Sequence, residues 1–273
     1  DVFAVTNPTS SGTWTVTAGF PVDLAWYGGR SNSDKWYIAD RLRGNNLIKP
    51  NASSAQFGVS FTIDFDLMTQ LSLTGVSGDY SGQIAYCFKR APGFFDVVRA
   101  QFPGSGAAIP HNLEVVPELI ITKAIDGTPV WATGSPYLPN TNGWNQYLEL
   151  NTNARSQSTS TTWNQTAPTA THFTLGTYPG SSYEGIFYLF ATLDGISKVG
   201  SYSGTGNNIN VDCGFTGGAR FVVIKRTDTI GDWYVYDTSR GITSGHDPYL
   251  MFNNSDTEVT NTSYIGPLNA GFQ

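Results

Sequence analysis

The chain has 273 residues, of which 14% are aromatic and only 13% are charged, and its net charge is −6. Disordered chains are poor in aromatic residues and rich in charge, so this composition predicts a folded protein. The acidic balance excludes a nucleic-acid surface, which needs clustered Lys and Arg, and no window has the roughly 18 consecutive apolar residues of a membrane-spanning helix.

Short strands are predicted from the N-terminus onward. Apolar, β-branched and aromatic runs, separated by Gly, Asn, Pro or Asp, predict strands near residues 2–7, 13–18, 23–27, 35–40, 58–64, 71–73 and 83–88. Seven short strands with these turn residues are typical of a β-sandwich. Because no stretch of about a dozen residues keeps a helical apolar stripe, the predicted fold class is all-β.

The same pattern returns twice along the chain. A strand-like run and a charged turn lead to Trp36, Trp131 and Trp233, which are about 95 and 102 residues apart. This period fits one small β-sandwich and exceeds that of any solenoid repeat. We therefore predict three tandem jelly-roll-like sandwiches, each with its own core. Their residues are 1–93, 94–195 and 196–273, or, with the alternative division, they are cut near 80 and 182.

One strand is missing under either division. A Tyr-x-Phe strand closes the first copy at residues 82–88 and the second at 185–190, but none closes the third before Gln273. A sandwich without this strand has an open row of backbone donors and acceptors. We expect the strand to come from deleted sequence or from a neighbouring subunit by β-strand addition. Asp1 is not preceded by Met, which indicates a fragment or a processed product.

The most distinctive charged positions recur in an Asp-x-x-Arg-Gly pattern. Asp40 with Arg43 in the first copy matches Asp237 with Arg240 in the third. The spacing fits a strand end and a tight turn, where turn amides and the guanidinium hold the carboxylate. It predicts a structural clasp rather than a ligand site. The second copy has Ser135 at the aspartate position.

Local motifs give no support for an enzyme. The three histidines lack the partners of a metal site, and neither a nucleophile elbow nor a phosphate-binding loop is present. We predict no catalytic residue, no metal and no cofactor, and we expect Cys87 and Cys213 to be free thiols. A polysaccharide depolymerase stays an alternative, because its two carboxylates can be distant in sequence. Candidates for such a pair are Glu114, Glu118, Glu149 and Glu184.

The second copy contains the best candidates for ligand binding. Its loop at residues 136–146 has no counterpart in the other copies, and a Ser/Thr-rich run follows at 156–162. Loops at one rim of a sandwich often carry function, and aromatic rings can stack on sugars. The candidate glycan-stacking residues are Tyr137, Trp144, Tyr147 and Trp163. The alternative is that these aromatic residues belong to the core.

Longer strings resemble a known repeat. The sequences at residues 36–44, 86–98, 109–113 with 116–119, and 237–249 resemble a repeat in virion structural, tail-fibre-like proteins of tailed bacteriophages, particularly marine ones. The resemblance implies a non-enzymatic protein on the virion surface, in a tail fibre, spike or other appendage. Expected partners are copies of itself, as a trimer or a strand-donating assembly, other virion proteins and host surface polysaccharide. A purely architectural decoration or a filament subunit is the alternative.

Overall fold

The structure is a computed structural model that describes residues 1–8, 13–31, 36–76, 82–104, 106–139 and 144–273. The described residues form antiparallel sheets and no helix, so they contain no helix long and apolar enough to cross a membrane. The predicted all-β fold class is confirmed. Residues 1–93, 94–195 and 196–273 are called the first, second and third segments below.

The first segment is a sandwich of two sheets. Its strands are β1 (Phe3–Thr6), β2 (Thr13–Thr17), β3 (Leu24–Gly29), β4 (Tyr37–Asp40), β5 (Asn46–Leu47), β6 (Phe57–Gly58), β7 (Thr62–Asp64), β8 (Gln70–Thr74) and β9 (Gln83–Phe88). One sheet has the order β1-β9-β3-β4 and the other β2-β8-β7, while β5 pairs with β6. The predicted strands are present within a few residues, except that two short strands replace the one expected at 58–64.

The second segment repeats this layout. Its strands are β10 (Phe95–Gln101), β11 (Ala107–Pro110), β12 (Leu119–Ala124), β13 (Ala132–Gly134), β14 (Gln146–Tyr147), β15 (Gln157–Ser158), β16 (His172–Leu175) and β17 (Glu184–Phe190). The larger sheet has the order β10-β17-β12-β13, and the smaller ladders are β11-β16 and β14-β15. In both segments the Tyr-x-Phe strand, β9 or β17, therefore lies inside the larger sheet.

The third segment has a smaller version of the same sheets. Its strands are β18 (Val211–Asp212), β19 (Phe221–Lys225), β20 (Trp233–Asp237), β21 (Leu250–Met251), β22 (Pro267–Leu268) and β23 (Gly271–Phe272). One sheet has the order β19-β20-β21 and the other β18-β23-β22. Within the described part of the chain, β19 pairs only with β20, whereas the equivalent strand β3 has neighbours on both sides.

The larger sheets are buried on both faces. Successive residues of a strand point to opposite faces. In β3, Ala25 and Tyr27 pack in a core inside the first segment, while Leu24 and Trp26 pack in a different core. Because both faces are covered, β3 and β9 are buried along their whole length.

A central core joins the three segments. The first, second and third segments each contain a hydrophobic core, and a fourth core, which the sequence did not predict, contains residues of all three. Members of this central core are Trp26, Tyr86 and Phe88 from the first segment, Phe95, Ile121 and Tyr188 from the second, and Trp233, Val235 and Phe252 from the third. The segments therefore pack around one common core instead of forming a linear row of separate domains.

Candidate functional site

Three tryptophans join the segments in a closed ring. Trp36, Trp131 and Trp233 each begin or precede the second strand of a hairpin, and each indole N–H donates to a backbone carbonyl of another segment. The acceptors are Met251 O at 2.9 Å, Lys49 O at 3.1 Å and Glu149 O at 2.9 Å, respectively. The first segment is thus bonded to the third, the second to the first and the third to the second.

Backbone hydrogen bonds close the same ring. The donor and acceptor pairs are Gln56 N with Ile125 O at 2.8 Å, Ser156 N with Thr227 O at 3.0 Å, and Glu258 N with Arg30 O at 2.9 Å. They link the first segment to the second, the second to the third, and the third to the first. Arg30 also forms a salt bridge to Glu258 at 2.5 Å. The three segments therefore have an approximate threefold arrangement within one chain, like subunits of a cyclic oligomer.

The Asp-x-x-Arg turn of the first segment is a buried clasp. Asp40 Oδ1 accepts from Arg43 N at 3.0 Å, and Arg43 Nε lies 2.5 Å from Asp40 Oδ2. Both side chains are fully buried. Tyr188 of the second segment donates its hydroxyl to Asp40 Oδ2 at 2.7 Å. Burial raises the pKa of Tyr188 well above its ordinary value, so the phenol keeps the proton that it donates.

The third segment has the same clasp, completed by a different segment. Arg240 N donates to Asp237 Oδ1 at 2.9 Å, and Arg240 Nε lies 2.5 Å from Asp237 Oδ2. Tyr86 of the first segment donates to Asp237 Oδ2 at 2.8 Å, and burial raises its pKa well above the ordinary value. Each clasp is therefore closed to solvent and locks two segments together. In this geometry the side chains of all four charged residues are fully buried.

A lysine lies opposite the ring tryptophan in two segments, and it is buried in the second segment and half-buried in the third. Lys123 is 1% exposed and donates from Nζ to Ala124 O at 2.6 Å and Gly127 O at 3.0 Å. Lys225 donates to Ala154 O at 2.7 Å and Gly231 O at 2.8 Å. Burial lowers the pKa of each lysine to about 8. Both ammonium groups donate their hydrogen bonds to backbone carbonyls, so neither is directed at a substrate.

The four candidate stacking residues differ in their exposure to solvent. Trp144 and Trp163 are 3% and 1% exposed, and their rings meet edge to face at 5.5 Å in the core of the second segment, so neither offers a face to a sugar. Tyr137 is 38% exposed and donates its hydroxyl to Glu118 Oε1 at 2.8 Å. Tyr147 is half-buried. Residues 140–143 of the candidate loop lie outside the described residues.

A shallow surface cleft of the second segment contains Tyr147. Its lining consists of Tyr147, Tyr178 and residues 158–162, all of which carry a hydroxyl group; we call it the hydroxyl cleft. Thr159 Oγ1 shapes one wall, because it accepts from the amides of Thr161 at 3.2 Å and Thr162 at 3.1 Å. Hydroxyl groups beside two tyrosine rings can hydrogen-bond and stack on a sugar. The Ser/Thr run was the sequence signal for this cleft.

The candidate carboxylates of a hydrolase do not meet in the hydroxyl cleft. None of its lining residues is acidic. Three of the four glutamates have structural partners: Glu118 accepts from Thr192 N, Glu149 from Gln157 Nε2, and Glu184 from Arg99. Among the described residues, no group of three or more His, Cys, Asp or Glu could hold a metal ion. Cys87 and Cys213 are free thiols, and burial raises the pKa of both.

Comparison with protein families identifies the larger part of the chain. Residues 92–273 match a family described as a domain of unknown function, DUF7483. The chain belongs to this family. No curated protein and no solved structure matches the chain. The matched region covers the second and third segments, and Trp36 and Tyr86 of the first segment complete the ring around that region.

Proposed function

We propose that this chain is a non-enzymatic structural protein of a bacteriophage virion, located on the particle surface in a tail fibre, spike or other appendage. The observation that carries the structural role is the closed ring. Its most distinctive side chains, the three tryptophans and the two clasps, are buried in joints between segments. The assignment to a virion rests on the sequence resemblance described above.

The physical character of the joints supports this role. A buried ion pair gains little net stability compared with an apolar pair, but breaking it is costly, so it specifies one arrangement of the segments. An aromatic core and three indole hydrogen bonds fix the same arrangement. A rigid module of this kind suits an extracellular assembly, in which it would contact other virion proteins and copies of itself.

Immunogold microscopy tests the location. Antibodies raised against residues 1–273 should label an appendage of intact phage particles whose genome encodes the chain. Preimmune serum on the same particles is the matched control. Labelling confined to lysed host cells, with bare particles, would overturn the virion assignment.

The hydroxyl cleft favours a second function, the binding of host surface glycans. Such sites are shallow, and repetition on an assembly raises their effective affinity. A panel of bacterial envelope polysaccharides would be incubated with the protein, and retained protein and released reducing ends would be measured together. We expect retention without cleavage, since no carboxylate lines the cleft. Released reducing ends would instead identify a depolymerase.

Two variants test the cleft itself. Tyr147→Ala removes one ring, and Ser160→Trp places a bulky side chain on the exposed rim. Each should weaken retention about tenfold, which corresponds to about 1.4 kcal/mol. Tyr264→Ala is the control, because Tyr264 is a 73% exposed tyrosine of the third segment that does not line the cleft. Equal losses in all three variants would exclude the cleft as the glycan site.

A further inference from the structure

The third segment has an unpaired sheet edge at β19. In the equivalent positions, β3 lies between β4 and β9, and β12 lies between β13 and β17. Arg220 O accepts a hydrogen bond from Thr238 N at 3.0 Å, which shows which residues of β19 direct their backbone groups toward β20. Backbone groups of Phe221, Val223 and Lys225 therefore point away from β20, toward the open edge. No described residue pairs with them across that edge.

The side chains at this edge are exposed where their counterparts are buried. Val223 corresponds to Trp26 in β3 and Ile121 in β12, because the hairpin partner of each lies two residues after the ring tryptophan. Val223 is 38% exposed, whereas Trp26 and Ile121 are each 5% exposed. The difference arises because β9 and β17 cover the counterparts. The edge of β19 thus has the exposed apolar character of a sheet that lacks one strand.

The segment that corresponds to β10 in the third segment also lacks a partner strand. Leu193 N donates to Ser197 O at 3.1 Å, as Ala91 N donates to Phe95 O at 3.0 Å, so residues 197–203 correspond to β10. β10 pairs with β17 along its whole length. Residues 197–203 form no strand, and Tyr202 among them is 47% exposed. Among the described residues, neither 197–203 nor the open edge of β19 has a partner strand of the kind that β17 provides in the second segment.

We propose that the third segment binds an extended strand of the β9 and β17 type, inserted antiparallel between residues 197–203 and β19. In the first segment, Phe88 lies opposite Leu24 and Tyr86 opposite Trp26. The incoming strand would place a Phe opposite Phe221 and an aromatic residue opposite Val223, both facing the central core. The occupant comes from outside residues 1–273, because β9 and β17 are already buried within their own sheets.

The recipient site also determines which aromatic residue it accepts. Tyr86 and Tyr188 each donate to the clasp aspartate of a neighbouring segment. By the same threefold order, the incoming residue faces the corresponding turn of the second segment, where Ser135 replaces the aspartate. Without a buried carboxylate there, a phenol hydroxyl gains no strong acceptor. The third site should therefore accept Phe as well as Tyr at this position.

Fluorescence anisotropy with labelled peptides tests the proposal on the full chain. The probe is a synthetic peptide with the sequence of residues 183–192, which includes β17, and a second peptide has the Tyr188→Phe change. We expect the two to bind with affinities within about threefold of each other. A third peptide, with Asp at the positions of Tyr188 and Phe190, should bind at least about tenfold more weakly, because buried charges would be unpaired. No binding of the first two at about 1 mM would overturn the proposal.

Changes in the recipient locate the binding site. Val223→Pro removes an amide on the open edge and leaves the ladder to β20 intact, so it should weaken peptide binding at least about tenfold. Ile230→Ser, at a residue 68% exposed elsewhere in the segment, is the control. Because Val223→Pro can also disturb folding, hydrogen exchange of the unaltered protein gives a second measurement. Peptide should slow exchange in residues 197–203 and β19, and unchanged exchange in both would overturn the proposal.

Sedimentation of the chain alone distinguishes the source of the strand. A monomer whose edge accepts peptide supports an occupant outside residues 1–273. A dimer that the peptide dissociates would show that a second copy already fills the edge, which would overturn the source proposed here. Strand binding would stand even if the chain were not a virion protein, since it depends only on the comparison of β19 with β3 and β12.

Discussion

The first and third segments contain the same hairpin, the same ring tryptophan and the same clasp, but only the first has a complete larger sheet. The nitrogen–oxygen distance in the clasp is 2.5 Å in both segments. The hairpin and its turn therefore form the clasp without the central strand of their own segment. That strand instead supplies a tyrosine to a neighbouring clasp, as Tyr86 does for Asp237. An incomplete sheet is thus compatible with a complete joint.

The largest expected effect comes from breaking a clasp. Arg43→Met leaves the carboxylate of Asp40 buried without its cation and should lower the free energy of unfolding by about 3–5 kcal/mol. Arg240→Met should cost less, because Arg43 Nη1 donates to Asn46 O at 3.2 Å, whereas Arg240 Nη1 has no acceptor among the described residues. Urea unfolding monitored by tryptophan fluorescence would measure both.

A surface ion pair provides the control for the clasp variants. Arg226 pairs with Asp228 at 2.8 Å, and both side chains are largely exposed, so Arg226→Met should leave the unfolding midpoint unchanged. If Arg43→Met also left the midpoint unchanged, the clasp would contribute nothing to the joint. If Arg240→Met cost more than Arg43→Met, the third segment would depend on its clasp more strongly because its sheet is open.

Local features of this fold are visible in the sequence, and the joints between segments are not. The strands follow from apolar alternation, and the clasp residues are close enough along the chain to meet in one turn. The unbroken apolar runs at residues 24–27 and 84–88 were the available signal for sheets buried on both faces. The indole hydrogen bonds leave no such signal, because every residue has a backbone carbonyl. Burial of Trp144 and Trp163 likewise depends on tertiary packing.

A second experiment compares equivalent positions in a complete and an incomplete sheet. Ile121→Ala should lower the free energy of unfolding by about 2–4 kcal/mol, because it leaves a cavity in the central core. Val223→Ala should change it by less than about 1 kcal/mol, since Val223 is 38% exposed. Thermal unfolding of both variants and of the parent protein would measure the difference.

The same pair of variants reports on the open edge in solution. If Val223→Ala costs as much as Ile121→Ala, then Val223 is covered, and the two sheets are equally complete in solution. If peptide binding makes Val223→Ala more costly than it is in the free protein, the inserted strand packs on this side chain. Either result would show directly whether the larger sheet of the third segment is open in solution, which a binding constant alone does not show.

The smallest expected effect is a dependence of stability on pH that the first segment does not contribute. In the first segment, Gly28 lies at the position that Lys123 and Lys225 have in the other two. A Cβ atom at Gly28 would lie only 2.8 Å from the ring of Trp36. Burial lowers the pKa of each lysine to about 8, while an unfolded lysine has its ordinary value near 10.5. Between these values the unfolded state binds more protons, so the free energy of unfolding rises with pH.

Lys123 should contribute a rise of about 2 kcal/mol between about pH 8 and pH 10, and Lys225 should contribute less because it is only half-buried. Above about pH 10 it reverses, because unfolded tyrosines ionise while burial raises the pKa of Tyr86 and Tyr188 in the folded state. Urea unfolding midpoints at several pH values would measure this dependence of stability on pH. Lys123→Met should reduce the slope, and Lys225→Met in addition should remove most of the remainder. If the double variant keeps the slope of the parent protein, then the carbonyl groups around the two lysines stabilise the ammonium form as well as water does, and the segments do not differ in this respect.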